Sequence, residues 1–122
     1  MTGTKSMGKV SVIIPCYNSA PYLGTCMDSV LAQHYPDIEI VCVDDGSTDD
    51  TPQLLAEYAR SYSAVTVVSL PANGGLFAAR IAGAQRSTGD YIAFVDSDDR
   101  ISSDWIGALI GEADRSGADL VF

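Results

Sequence analysis

Val41-Cys42-Val43-Asp44-Asp45-Gly46-Ser47 and Ala93-Phe94-Val95-Asp96-Ser97-Asp98-Asp99 decide the fold. Each is a short apolar run that stops abruptly at carboxylates. A strand buried on both faces of a parallel sheet reads as such a continuous Val/Ile-rich run. In an open α/β sheet, ligands bind beyond the carboxyl ends of the strands. The two stretches therefore deliver Asp44, Asp45, Asp96, Asp98 and Asp99 to one edge of one sheet. Carboxylates packed together repel unless something positive or hydrogen-bonding lies between them. A metal ion and a polyhydroxylated nucleotide ligand meet that need.

Working outward, residues 10–14 read as a strand that Pro15 ends. Asn18-Ser19-Ala20-Pro21 starts a helix, with proline suited to its first turn. Leu23, Met27, Val30 and Leu31 give that helix one apolar stripe. Residues 38–43 form the second strand. Asp50 or Thr51 caps the next helix, Pro52 lies just inside it, and Leu54, Leu55, Tyr58, Ala59 and Tyr62 form its buried stripe. A third strand over 65–70 leads through the turn Asn73-Gly74-Gly75 into a helix over 76–86, with Gly89 beyond it. A fourth strand covers 91–95. Ser102 or Ser103 caps a last helix, whose inner face is Trp105, Ile106, Leu109, Ile110 and Ala113 and which Gly117 stops. Residues 118–122 begin a fifth strand.

Strands alternating with helices of about 10–15 residues predict βαβ units. The expected architecture is α/β: a mostly parallel sheet with helices on both faces and right-handed crossovers. Residues 1–9 are polar and Gly/Ser-rich and read as a flexible leader, and residues 10–122 as the domain. The chain stops inside an apolar strand, at Leu120-Val121-Phe122, which reads as a domain incomplete at its C-terminus.

The 122 residues suit one domain, and 47% hydrophobic with 19% charged residues is a globular composition. A net charge of −9 argues against a nucleic-acid partner, because neutralising phosphates needs Lys and Arg. It argues equally against a basic membrane-binding face. No run approaches the ~18 apolar residues of a membrane span, and no signal-peptide core follows the leader. Cys16, Cys26 and Cys42 are odd in number and form no C-x-x-C pair, so they read as small buried hydrophobes in a reducing compartment. His34, the only histidine, lies near a helix end and reads as a surface or capping residue rather than a catalytic base.

Gly46 permits a tight turn off the second strand. Asp49, Asp50 and Thr51 read as turn and cap formers. Asp44 and Asp45 do not, since the turn needs only one of them. Such carboxylates accept hydrogen bonds from a base N–H or from ribose hydroxyls. Asp96-Ser97-Asp98 has the D-x-D form. A hard octahedral ion such as Mg²⁺ or Mn²⁺ takes few protein carboxylates and completes its shell with phosphates and water. Gly74-Gly75 before a helix either presents N–H groups to a diphosphate or only makes the turn. Arg80 on its own reads as the partner of a surface acid. Trp105 and the tyrosines at helical spacing read as core rather than as a sugar-stacking platform.

Four motifs in order then resemble a known family. Val12-Ile13-Ile14-Pro15 with Tyr17-Asn18; Val43-Asp44-Asp45-Gly46-Ser47-Thr48-Asp49 with Thr51; Asn73-x-Gly75 with Ala79-Arg80; and Gly89-Asp90-Tyr91-Ile92 with Asp96-x-Asp98-Asp99 are similar to family 2 glycosyltransferases of the GT-A, Rossmann-like fold. The resemblance covers nearly all of residues 10–122. It implies the nucleotide-sugar-binding portion of such an enzyme, with a nucleotide-diphosphate sugar (a UDP-sugar) as donor and a saccharide or lipid-linked acceptor. It places Pro15, Tyr17 and Asn18 along the nucleoside pocket, Asp45 with Asp44 at the base, Arg80 at the base or diphosphate and Asp96 at the ribose. Asp98 is placed at an Mg²⁺ or Mn²⁺ cofactor, with Asp99 either assisting there or supporting the loop. It further implies transfer with inversion, a general base from a segment beyond Phe122, and work on cell-surface polysaccharide or glycolipid in the cytoplasm, at the inner face of the membrane. One departure is Ile81, where family members often carry Asn.

Two other readings compete. A receiver-type signalling domain also clusters acids around Mg²⁺, but its paired acids follow the first strand and a Lys follows the fifth. A non-catalytic nucleotide-sugar-binding fragment has the same residues. A calcium loop lacks its Gly and terminal Glu here, and a dinucleotide oxidoreductase lacks G-x-G-x-x-G after the first strand.

Overall fold

The computed structural model describes residues 8–116, 120 and 121. The elements alternate as expected: β1 (Val10–Cys16), α1 (Ala20–Leu31), β2 (Ile38–Asp44), α2 (Thr51–Ser61), β3 (Val65–Ser69), α3 (Leu76–Arg86), β4 (Tyr91–Phe94), α4 (Trp105–Ser116) and β5 (Leu120–Val121). All strand pairs are parallel, in the order β3-β2-β1-β4-β5. The chain winds outward from β1 to β3, then crosses back to add β4 and β5 on the other side. The order reverses between β1 and β4, and such a switch point opens a crevice beyond the carboxyl ends. Val10 pairs with both Ile38 and Tyr91, so β1, β2 and β4 start level and release their following loops at one edge.

Alternation along β1 builds two cores. Val10, Val12, Ile14 and Cys16 face the larger one, with Leu23, Met27 and Val30 of α1, Leu55 of α2, and Ile106 and Ile110 of α4. Ile13 faces the smaller one, with Val41, Val43 and Ala79 of α3. Each fully buried Ile, Leu or Met contributes about 1.5–3 kcal/mol relative to exposure. Gly83 is where α3 meets the sheet: a Cβ there would lie 2.5 Å from Ile13 Cγ2.

Several details differ from the sequence expectations. β1 does not end before Pro15; it runs through it to Cys16. Ile13 O accepts from Val95 N–H on the β4 side and Cys16 O from Asp45 N–H on the β2 side. Alternation therefore points Pro15 toward β4, past Phe94, the last paired residue of that strand, and its missing N–H costs no ladder bond. Tyr62 is exposed rather than part of the α2 stripe, and stacks on Tyr58. The crossover from β4 to β5 is not right-handed. It steps across the sheet in the same direction as β3 to β4, yet α4 packs on the face opposite α3. The long connection over 95–104 frees α4 from the tight-crossover constraint, and α1 claims it. Gln33 Nε2 donates to Ser102 O at 2.6 Å, Ile106 N–H donates to Gln33 Oε1 at 2.9 Å, and His34 N–H donates to Ser103 O. The first turn of α4 is thus held by Gln33. The expected inner-face side chain Ala113, the stop at Gly117 and most of the fifth strand lie outside the described residues.

Candidate functional site

Four loops meet at the carboxyl edge, and side chains stitch them together. Asn18 sits at φ 48°, a left-handed conformation that asparagine tolerates. Its N–H donates to Ser47 Oγ, and its Oδ1 accepts from Thr48 N–H at 2.7 Å and Asp49 N–H at 3.3 Å. The next residue, Ser19, is buried; its N–H donates to Thr51 Oγ1, and its hydroxyl meets Ser97 Oγ at 2.6 Å. The loop after β1 is therefore the hub that ties the β2–α2 loop to the D-x-D loop. Asp50 stands at the N-cap of α2 without a side-chain cap bond; Asp49, one residue earlier, accepts from Thr51 N–H through Oδ1 and from Ala20 N–H through Oδ2. The hydrogen bonds from Thr51, with those from the backbone, hold its carboxyl below the usual range.

Asp44 and Asp45 are expected to serve a ligand rather than the turn; the structure gives each a turn to close. Asp44 Oδ1 accepts from Ser47 N–H within its own turn. Asp45 is 3% exposed and spends one oxygen on Gly74 N–H at 2.8 Å and the other on Gly75 N–H at 2.9 Å. Of the two readings of Gly74-Gly75, the structure therefore shows the N–H groups turned to a side chain of this chain. A carboxylate at the positive start of α3 is well placed electrostatically. Each oxygen keeps a further lone pair for a ligand. Gly46, at φ 75°, lies against the 72–73 backbone, where a Cβ would come within 2.7 Å of Asn73 N.

Asp96, Asp98 and Asp99 stand exposed, with carboxylate oxygens within 4.8 Å of one another. An all-oxygen, all-anionic donor set on an open loop fits Mg²⁺ or Mn²⁺ that keeps positions for phosphate and water. Arg80 Nη2 lies 3.8 Å from Asp96 Oδ1, so the surface acid that Arg80 pairs with is a member of this cluster. Its guanidinium rests over the Phe94 ring, 5.6 Å from the centroid. Burial first, then the negative field of Asp99, Asp98 and Asp96, pushes the Cys26 thiol up to about 12; burial also raises Cys42 to about 12 and Cys16 further. All three stay protonated thiols at neutral pH.

Three adjoining clefts form one groove along this edge. The first, about 250 Å³, is an apolar slot between Pro15, Tyr17 and Leu76 with Asp45 in its lining. The second, about 260 Å³, shares Tyr17 and Leu76 and adds Asn18, Tyr22, Asp96 and Asp98. The third, about 320 Å³, shares Asp96 and adds Arg80, Asp99, Arg100 and Trp105. A larger cavity, about 660 Å³, lies on the flank between α1 and residues 100–103; it shares Arg100 and Ile101 with the third cleft, and none of Asp96, Asp98 and Asp99 lines it. The structure thus brings Pro15, Tyr17, Asn18, Asp45, Arg80, Asp96, Asp98 and Asp99 to one groove, while Asp44 supports it from beneath. His34 stays outside, exposed beside Asp104.

Sequence reasoning missed Tyr22, which is 56% exposed on the groove wall rather than core, and the Ser19–Ser97 pair. Position signals Tyr22: in the first turn of a helix leaving a strand's carboxyl end, a large side chain not on the core stripe borders the crevice. Trp105 packs against the large core and also lines the groove. Ile81 is exposed, so core packing does not explain its departure from the family's Asn.

Glycosyl transferase family 2 matches residues 11–122. The chain belongs to that family. Its fold is the GT-A fold of the solved relatives. A poly(ribitol-phosphate) beta-glucosyltransferase of Bacillus spizizenii is 43% identical over 99 residues, covering 79% of this chain and 16% of the relative. S. aureus TarS 1–349 in complex with UDP-GlcNAc superposes with a TM-score of 0.80 at 34% identity, covering 88% of this chain and 31% of that one. The mannosyltransferase PcManGT of Pyrobaculum calidifontis, in complex with GDP-Man and Mn²⁺, superposes with a TM-score of 0.82 at 28% identity, covering 87% and 32%. The chain spans less than half the length of curated relatives of this kind. Family membership, with paired acids after β2 rather than β1, leaves no place for the receiver-type reading.

Proposed function

We propose that this chain forms the donor-binding part of a glycosyltransferase that uses a nucleotide-diphosphate sugar, a UDP-sugar, and transfers the sugar with inversion. The acceptor is a hydroxyl of a cell-surface polymer or lipid-linked saccharide. The observation that carries the reading is the cluster of Asp96, Asp98 and Asp99 at one end of a groove whose other end is an apolar slot beside Asp45. A base fits the slot between Tyr17 and Leu76, with the free lone pairs of Asp45 accepting its N–H. Asp96 is placed to accept ribose hydroxyls. Asp98 and Asp99 would hold Mg²⁺ or Mn²⁺. A divalent ion held there would neutralise charge that develops on the departing diphosphate. The UDP-GlcNAc bound by TarS and the GDP-Man and Mn²⁺ bound by PcManGT support this ligand class, and the poly(ribitol-phosphate) relative supports a polymer acceptor. The carboxylates described here are committed to the donor side, so the base that deprotonates the acceptor is assigned to another segment of the whole protein.

Calorimetric titration of UDP with and without Mn²⁺, repeated on Asp98→Ala, tests the reading. Binding that needs Mn²⁺ and drops roughly 100-fold in the variant supports it. Folded protein that binds no nucleotide diphosphate in either condition contradicts it.

A further inference from the structure

Among the described residues, Arg80 carries the one buried side-chain polar atom without a hydrogen-bond partner, its Nε. Its Nη2 stands 3.8 Å from Asp96, within ion-pair range but too far for a hydrogen bond. The flat face of the guanidinium is held by Phe94, the last residue of β4, and Asp96 follows two residues later, so one strand end supplies both the platform and the counter-ion. Asp96 in turn belongs to the cluster with Asp98 and Asp99. A single carboxylate is thus shared between a fixed positive charge and a candidate cation site.

We propose that Arg80 is the resident counter-cation of the acidic loop, and that it makes cation binding depend on the nucleotide. In the empty groove it partly neutralises Asp96 and repels a dication entering between Asp96, Asp98 and Asp99. A nucleotide diphosphate arriving with the cation brings acceptors of its own. Arg80 turns from Asp96 to those oxygens, its unused donors are satisfied, and Asp96 is released to its other partners. Cation and nucleotide therefore bind with positive coupling, and Arg80 carries a measurable part of that coupling, which by linkage is felt equally by both ligands. Arg100 lines the same cleft and is exposed. The proposal rests on the donor-site reading for its nucleotide half and on the geometry of Arg80 alone for its cation half.

The test separates the two halves. Mn²⁺ alone, then UDP with and without Mn²⁺, is titrated calorimetrically into the full chain and into Arg80→Met and Arg80→Lys. Met keeps the apolar stem and removes the charge; Lys keeps the charge. Arg80→Met is expected to bind Mn²⁺ alone on the order of tenfold tighter than the unaltered chain, since a unit charge a few ångströms away is removed. In the same variant the gain in UDP affinity on adding Mn²⁺ shrinks, while Arg80→Lys stays close to the unaltered chain for Mn²⁺ alone. Equal or weaker Mn²⁺ binding by Arg80→Met overturns the proposal, as does absence of Mn²⁺ binding in every protein. If Arg80→Met fails to fold, Phe94→Leu decides: loss of the platform tightens Mn²⁺ binding by a smaller factor, and no tightening overturns the proposal. Tighter Mn²⁺ binding with no UDP binding anywhere keeps the role of Arg80 and removes the donor-site reading instead.

Discussion

The two ends of the sheet both gather carboxylates and treat them in opposite ways. At the amino end Glu39 is surrounded. Its oxygens accept from Ser11 Oγ, from Thr88 N–H at 2.6 Å and from Thr88 Oγ1 at 3.0 Å, with Lys9 Nζ 3.7 Å away. Ser11 Oγ accepts in turn from Gly89 N–H. Burial acts to raise the Glu39 pKa, but the hydrogen bonds from Ser11 and Thr88, aided by Lys9, outweigh it and leave the carboxyl below the usual glutamate range. At the carboxyl end Asp96, Asp98 and Asp99 stand exposed and close together, with Arg80 at long range. A satisfied acid joins strands; an exposed cluster leaves its lone pairs open to solvent or to a ligand. Asp45 belongs to both kinds, buried and doubly bonded yet bordering the groove.

Substitutions can break this contrast, and the largest effect belongs to the residue that straddles it. Asp45→Ala strands two N–H groups at the start of α3 and removes two charge-assisted bonds, so it is expected to cost about 3 kcal/mol in urea unfolding and to abolish UDP binding. Unchanged stability there would show that the Gly74 and Gly75 bonds matter little. Gly89→Ala strikes the amino end alone. Its Cβ would lie 2.6 Å from Ser11 Oγ and 2.8 Å from Ser11 N, and an overpacked backbone contact costs roughly 1–3 kcal/mol, read as a lower Tm with UDP affinity intact.

Glu39→Gln keeps the shape and loses the charge. The expected loss is about 1 kcal/mol at neutral pH. A depressed carboxyl pKa stabilises the folded state above the unfolded value and ceases to do so as pH falls through the folded one. The variant should therefore show a shallower loss of stability than the unaltered chain as pH falls below about 4. Parallel acid-unfolding curves would remove Glu39 from the account. The smallest effect is expected for His34→Ala, within about 0.5 kcal/mol, because both it and Asp104 are largely in solvent. A larger change would mean that the exposed pair anchors α4.

How much of this was legible in the sequence follows from the range of each signal. Period and punctuation are local, so the alternation of strands and helices and the start of α3 at Leu76 are readable from the chain. The two acidic clusters are readable because each follows its strand directly. What pairs across the sheet is not. Pro15 stays within β1 only because β4 has already stopped beside it. Asp45 is committed because the β3–α3 turn, about thirty residues on, presents N–H groups to it. The side chain that holds α4 is Gln33, from the turn just after α1. Glu39 gave no local sign of its role, since its partners come from β1 and from the turn before β4. Local order is written in short spacing, whereas commitment of a polar group depends on distant neighbours.

The division between the two ends is tested most directly by the stabilisation that UDP plus Mn²⁺ confers, followed by thermal unfolding of the unaltered chain, Glu39→Gln and Asp98→Asn. Ligand bound only by the folded state raises Tm in proportion to its affinity. The account predicts that Glu39→Gln melts lower without ligand and gains as much from UDP and Mn²⁺ as the unaltered chain. Asp98→Asn is expected to melt normally without ligand and to gain nothing. Retained stabilisation in Asp98→Asn, or its loss in Glu39→Gln, would contradict it.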